Sequence, residues 1–154
     1  MLSAITGGSS EDLYYGGFDG TWTGKIHSQG LDLKTQSAKE GSTKESKYRL
    51  VINGTKVSVF RDDNNAWKEV KPNAFRIQIH KTSAVVSAID SSTDVLDKTG
   101  SGGWVETWTY TITHKDNGTL YVYWVDSINN YLEPPDKEIA RFIRSGFGEM
   151  TRSE

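Results

Sequence analysis

Alternation with period two runs through nearly the whole chain, and such a pattern suits strands that keep one face dry and the other wet. Residues 104–114 show it best. Trp104, Glu106, Trp108, Tyr110 and Ile112 fall on one side, with Val105, Thr107, Thr109, Thr111 and Thr113 on the other. Near the start, Phe18, Gly20, Trp22, Gly24 and Ile26 oppose Asp19, Thr21, Thr23, Lys25 and His27. Tyr48, Leu50 and Ile52 share a face, and Phe75, Ile77 and Ile79 oppose Arg76, Gln78 and His80. Strand-length runs are predicted at 18–28, 46–53, 56–62, 66–71, 74–82, 84–90, 103–114, 119–127 and 138–150. Amphipathic helices are hard to find, so the fold class is all-β.

Short connections join most of these runs, which predicts an antiparallel up-and-down meander. A meander of this size either closes on itself or folds into two sheets. The expectation is closure, giving an eight- or nine-stranded barrel that occupies 18–154 as a single domain behind a flexible Gly/Ser/acidic leader at 1–17. Residues 29–45 are polar and longer than a hairpin needs, and read as a flap between the first two strands. Residues 128–137 contain Pro134 and Pro135 and leave room for a helical turn at most.

Two Asn-Gly pairs, Asn53-Gly54 and Asn117-Gly118, mark tight hairpins, because both residue types tolerate positive φ. The length of the second turn decides which rings meet. A two-residue turn at Asn117-Gly118 sets Ile112 opposite Tyr123 and Tyr110 opposite Val125. A three-residue loop, Asp116-Asn117-Gly118, sets Ile112 opposite Val122, Tyr110 opposite Trp124 and Trp108 opposite Asp126. Asp-Asn-Gly suits the αR, αR, αL backbone of the longer loop, so the second register is expected. Tyr121, Tyr123 and Val125 then point outward.

Composition narrows the chemistry. The absence of cysteine removes disulfides and thiolate chemistry. Net charge is −2 from 18 basic and 20 acidic residues, which supplies no footprint for nucleic acid. No apolar run reaches the length of a membrane span, and no signal peptide is visible, so a soluble, cytoplasmic protein is the default expectation while export of a longer precursor stays open. No cofactor is expected. His27, His80 and His114 have no metal-ligand spacing and are expected at the surface. The acidic stretches 62–65 and 90–94 miss the calcium-loop pattern, and 99–104 has glycines but no phosphate-loop lysine. No catalytic residue is marked out by a specific motif.

The run Phe18-Asp19-Gly20-Thr21-Trp22-Thr23-Gly24 contains a Gly-x-Trp near the start of an all-β domain of this length. It resembles the first-strand motif of the calycins, the superfamily of lipocalins, cytosolic fatty-acid-binding proteins and avidins. The resemblance implies a lipocalin-like barrel with Gly20 and Trp22 at one end. It also implies that an arginine from the last strand, Arg141 or Arg144, packs on the indole and ties the chain's end to its beginning. A small apolar or aromatic ligand is the expected partner, bound by a monomer or homodimer.

Trp22, Tyr48, Phe75, Trp104, Trp108, Tyr110 and Trp124 are all expected to project into one interior, where they either fill a core or line a pocket. Glu106 and Asp126 fall in inward register. Either they meet a ligand's polar end near the barrel mouth or the strand ends twist them into water, and Arg144 is an alternative partner that neutralises one of them. Three functions are open: a ligand-binding protein using these residues, a protein-interaction module with a filled barrel, and a cofactor-free isomerase or hydrolase built on Glu106 and Asp126.

Overall fold

The computed structural model describes residues 16–32, 37–92, 103–116, 118–133 and 140–153. Apart from a 3-10 turn at Gly16–Phe18, the leader expected over 1–17 lies outside them, as do Pro134, Pro135 and Asn117. The described chain is a single antiparallel sheet: β1 (Gly20–Asp32), β2 (Ser37–Ala38), β3 (Lys44–Asn53), β4 (Lys56–Asp63), β5 (Ala66–Glu69), β6 (Arg76–His80), β7 (Ser83–Ser92), β8 (Trp104–Asp116), β9 (Thr119–Asn130) and β10 (Arg141–Ser153). Nine of these correspond to the nine predicted runs. The tenth, β2, is a two-residue strand inside the 29–45 flap and pairs with the end of β1.

The ladder order is β5-β4-β3-β1-β10-β9-β8-β7-β6, so the last long strand pairs with the first. Eleven pairs join them, from Thr21 opposite Ser153 to Leu31 opposite Ile143. Glycine makes this seam close. A Cβ on Gly24 would collide with the backbone oxygen of Glu149, and one on Gly148 with that of Lys25. The sheet curls so that β3 meets β8 and β9 across the interior: Tyr48 lies 6.1 Å from Tyr110 and 6.2 Å from Trp124, ring centre to ring centre.

Closure by hydrogen bonds is corrected. No ladder joins β5 to β6, and the sheet is therefore not a closed barrel. The reason is the path between them. Val70 N still bonds to Val59 O at 2.8 Å, after which a turn closed by Ala74 N and Lys71 O at 3.2 Å carries the chain inward. Lys71 and Asn73 adopt positive φ to make the bend, and Phe75 enters the core beside Trp108 and Tyr110. The strand that follows approaches β4 rather than extending the β5 ladder.

The β8–β9 hairpin takes the expected register, with Ile112 opposite Val122, Tyr110 opposite Trp124 and Trp108 opposite Asp126, but through an irregularity between His114 and Asp116 and not through a loop that begins at Asp116, which pairs with Thr119. Gly118 N donates to Asp116 Oδ1 at 2.9 Å. Tyr121 and Tyr123 are exposed, as expected of the outer face.

One end is sealed. Trp22 is fully buried and donates from Nε1 to Phe18 O at 2.9 Å. The arginine over its ring, at 4.3 Å, is Arg152 and not Arg141 or Arg144. Register explains the correction: Arg152 stands directly opposite Trp22, whereas Arg144 is opposite Gly30 at the other end of the seam and Arg141 lies beyond it. Arg152 also donates to Gly17 O at 2.9 Å and to Asp19 O, fastening the 3-10 turn to the last strand. His114, expected at the surface, instead packs its ring against Phe18 at 4.5 Å and Trp22 at 5.8 Å. It continues the inward row of Tyr110 and Ile112. Arg152→Ala is expected to lower stability by about 1–2 kcal/mol, the size of a cation–π contact on a buried indole plus lost hydrogen bonds. Arg152→Lys should recover only part, because an ammonium lacks the fork that reaches two carbonyls. Urea unfolding of the three proteins checks this.

Candidate functional site

Along each long strand the inward row changes character at about the same level. On β1 it reads Trp22, Gly24, Ile26, then Ser28; on β3, Ile52, Leu50, Tyr48, then Ser46 and Lys44. On β4, Val57 and Val59 give way to Arg61; on β9, Leu120, Val122 and Trp124 give way to Asp126; on β10, Met150, Gly148 and Gly146 give way to Arg144. The ladders bring these changes together, since Tyr48 pairs with Arg61, Arg144 with Asp126, and Asp126 with Trp108. An apolar end and a polar end result.

Where the two meet there is a cavity of about 290 Å³. Trp108, Tyr110, Trp124 and Tyr48 form its aromatic wall, Glu106 and Asp126 lie on it, and Lys44, Arg61, Lys68, Lys71 and Arg144 surround it, with Glu69, Val70, Ser28 and Ser46 completing the lining. Tyr110 stacks on Trp124 with centroids 6.2 Å apart. Lys71 pairs with Asp90 at 2.6 Å and lies 5.7 Å from the Trp108 ring and 5.8 Å from that of Trp104. That ion pair holds Asp90 below the ordinary carboxyl range.

Burial dominates the electrostatics. It pushes the Tyr110 phenol well above its usual range and raises that of Tyr48, where Arg61 opposes it. Asp126 is pushed up to about 8, by burial first, then by its hydrogen bond with Glu106 and by the negative charge of Glu106, against the pull of Arg144. Asp126 therefore keeps its proton near neutral pH. Six side-chain polar atoms among the described residues are buried with no hydrogen-bond partner, and two of them, Trp124 Nε1 and Asp126 Oδ1, belong to residues that line the cavity.

Of the residues singled out from sequence, Tyr48, Glu106, Trp108, Tyr110, Trp124 and Asp126 line the cavity together. Phe75 is core and supports Trp108 and Tyr110 from behind. Trp104 lies outside the lining, under Lys71. Gly20 begins β1 with φ +132° and Trp22 belongs to the sealed end. Arg144, expected at Trp22 or at one of the carboxyls, stands opposite Asp126 on β9 and pulls its pKa down against the effect of burial. Sequence reasoning missed Lys44, Ser46, Arg61 and the Lys68–Lys71 bend. The first three were within reach, because they continue the alternation of Tyr48 and of Val57 and Val59; the bend has no periodic signal. Among the described residues no group of three His, Cys, Asp or Glu could hold a metal ion, and no helix is long and apolar enough to cross a membrane. No protein-family model and no curated protein matches the chain.

The raised Asp126 pKa has a definite sign for stability. The folded state holds the proton more tightly than the unfolded chain, so this group's contribution is full below about pH 4, declines as pH rises, and is gone above about pH 8. Asp126→Asn removes that decline. Its stability relative to the wild type is expected to improve by at least about 1 kcal/mol between pH 5 and pH 9, a figure reduced for the carboxyl's partial contact with solvent. Chemical denaturation at the two pH values measures it.

Proposed function

We propose that the chain is a lipocalin-like binding protein, akin to the calycins, whose curled sheet holds a small aromatic ligand with a polar end. The observation that carries this reading is the cavity of about 290 Å³ at the junction of an aromatic wall and a charged level. Its volume lies at the small end of ligand sites, which favours one or two rings over a long acyl chain. Rings would stack on Trp108, Tyr110 and Trp124, and Arg61, Arg144 and the carboxyl pair would receive the polar end. Fluorescence titration tests it: phenylpyruvate or indole-3-acetate is expected to quench tryptophan emission saturably, and palmitate is not. Trp108→Ala should weaken binding at least tenfold, about 1.4 kcal/mol, with Trp108→Phe intermediate and circular dichroism unchanged. A panel of such ligands without a saturable response overturns the reading.

A second role is favoured by one surface feature. Tyr121, Tyr123 and Phe147 are 51%, 54% and 66% exposed, and Tyr123 stands opposite Phe147 on the next strand. This outer aromatic patch suits self-association. Light scattering is expected to show a dimer that Tyr123→Lys converts to a monomer; a wild-type monomer removes this role and leaves the cavity reading intact.

A further inference from the structure

Glu106 and Asp126 are more than polar anchors. Asp126, on β9, and Glu106, on β8, both line the cavity beside the rings of Trp108, Tyr110 and Trp124. A carboxylic acid next to a carboxylate can give a proton to a carbonyl oxygen that becomes an enol while its neighbour takes one from carbon. Glu106 shares a hydrogen bond with Asp126 and lines the same cavity. From this arrangement we infer that the site is an acid–base catalyst of proton transfer next to a carbonyl, acting on a small aromatic carbonyl compound.

The inference rests on the binding reading above. Glu106 as carboxylate takes a proton from the carbon beside the carbonyl. The C–H electron pair becomes the enol double bond, and the carbonyl oxygen takes the proton of Asp126. Return of a proton to the same carbon exchanges hydrogen, and delivery to the far carbon of a conjugated substrate shifts the double bond. Neither outcome changes the substrate's formula, and the hydrogen bond between the carboxyls resets the pair. Division of labour between two carboxyls of unlike environment is an established way to obtain an acid and a base from one residue type. Arg144 from β10, Arg61 from β4, Tyr48 from β3 and Tyr110 from β8 face Asp126 or its immediate neighbours, and Arg144 opposes the proton's retention.

Exchange of the carbon-bound protons of phenylacetone and phenylpyruvate into D2O, followed by NMR with the intact chain, tests the inference. At least a tenfold acceleration over protein-free buffer is expected, with the protein-dependent part falling as pH rises through about 8, where Asp126 loses its proton. Glu106→Gln and Asp126→Asn should each return exchange to background with circular dichroism unchanged, and Glu106→Asp should restore part of it. If a variant fails to fold, the wild-type pH profile carries the test. Quenching by either probe without accelerated exchange overturns the catalytic inference and leaves the binding reading standing. Acceleration that survives both variants also overturns it. Absence of both quenching and exchange overturns the two together.

Discussion

The eleven-pair ladder between β1 and β10 joins segments at opposite ends of the chain, and every other feature takes its place from it. Such a seam closes a very long loop, so it forms only when strongly favoured contacts await it. The contacts are local to the seam. Glycines at 24 and 148 let the two backbones approach, and Arg152 lies flat on Trp22 while binding the 3-10 turn. Without the seam the two halves of the sheet would not face one another, and Tyr48 would never reach Tyr110.

The dry face is graded along its length. Inward rows begin with aliphatic and aromatic residues at the Trp22 end and finish with Ser28, Lys44, Arg61, Asp126 and Arg144 at the other. Because antiparallel registers align the change on neighbouring strands, charges and rings converge at one level rather than scattering through the core. Burial there raises the Asp126 pKa and leaves Trp124 Nε1 and Asp126 Oδ1 unsatisfied. Such groups weaken a fold.

Much of this was legible in the sequence, for a specific reason. Period-two alternation survives any tertiary context in which one face is buried, so nine strands and the sides of Trp108, Tyr110, Trp124 and Asp126 could be read directly. The Asp-Asn-Gly loop then supplied the register that joins Trp108 to Asp126. Pairings between distant strands carry no local signal. Hence the choice of arginine over Trp22 failed: Arg141, Arg144 and Arg152 lie on the same strand, and only its register against β1 selects Arg152. The cations of the cavity other than Arg144 were missed for a related reason, since alternation was followed through apolar residues and abandoned where it turned charged.

The unladdered joint between β5 and β6 gives the molecule an anisotropic stiffness. Parting any other neighbours breaks a row of backbone hydrogen bonds, each worth roughly 1 kcal/mol, whereas parting these two breaks none of that kind. Phe75 and the Lys71–Asp90 ion pair reach from the bend to β8 and β7, and both charges are more than a third exposed. Ionic strength therefore weakens an ion pair that spans this joint, as it does the more exposed pairs Lys25–Glu45 and Lys115–Glu149 elsewhere on the sheet, but only at this joint is there no ladder beneath it.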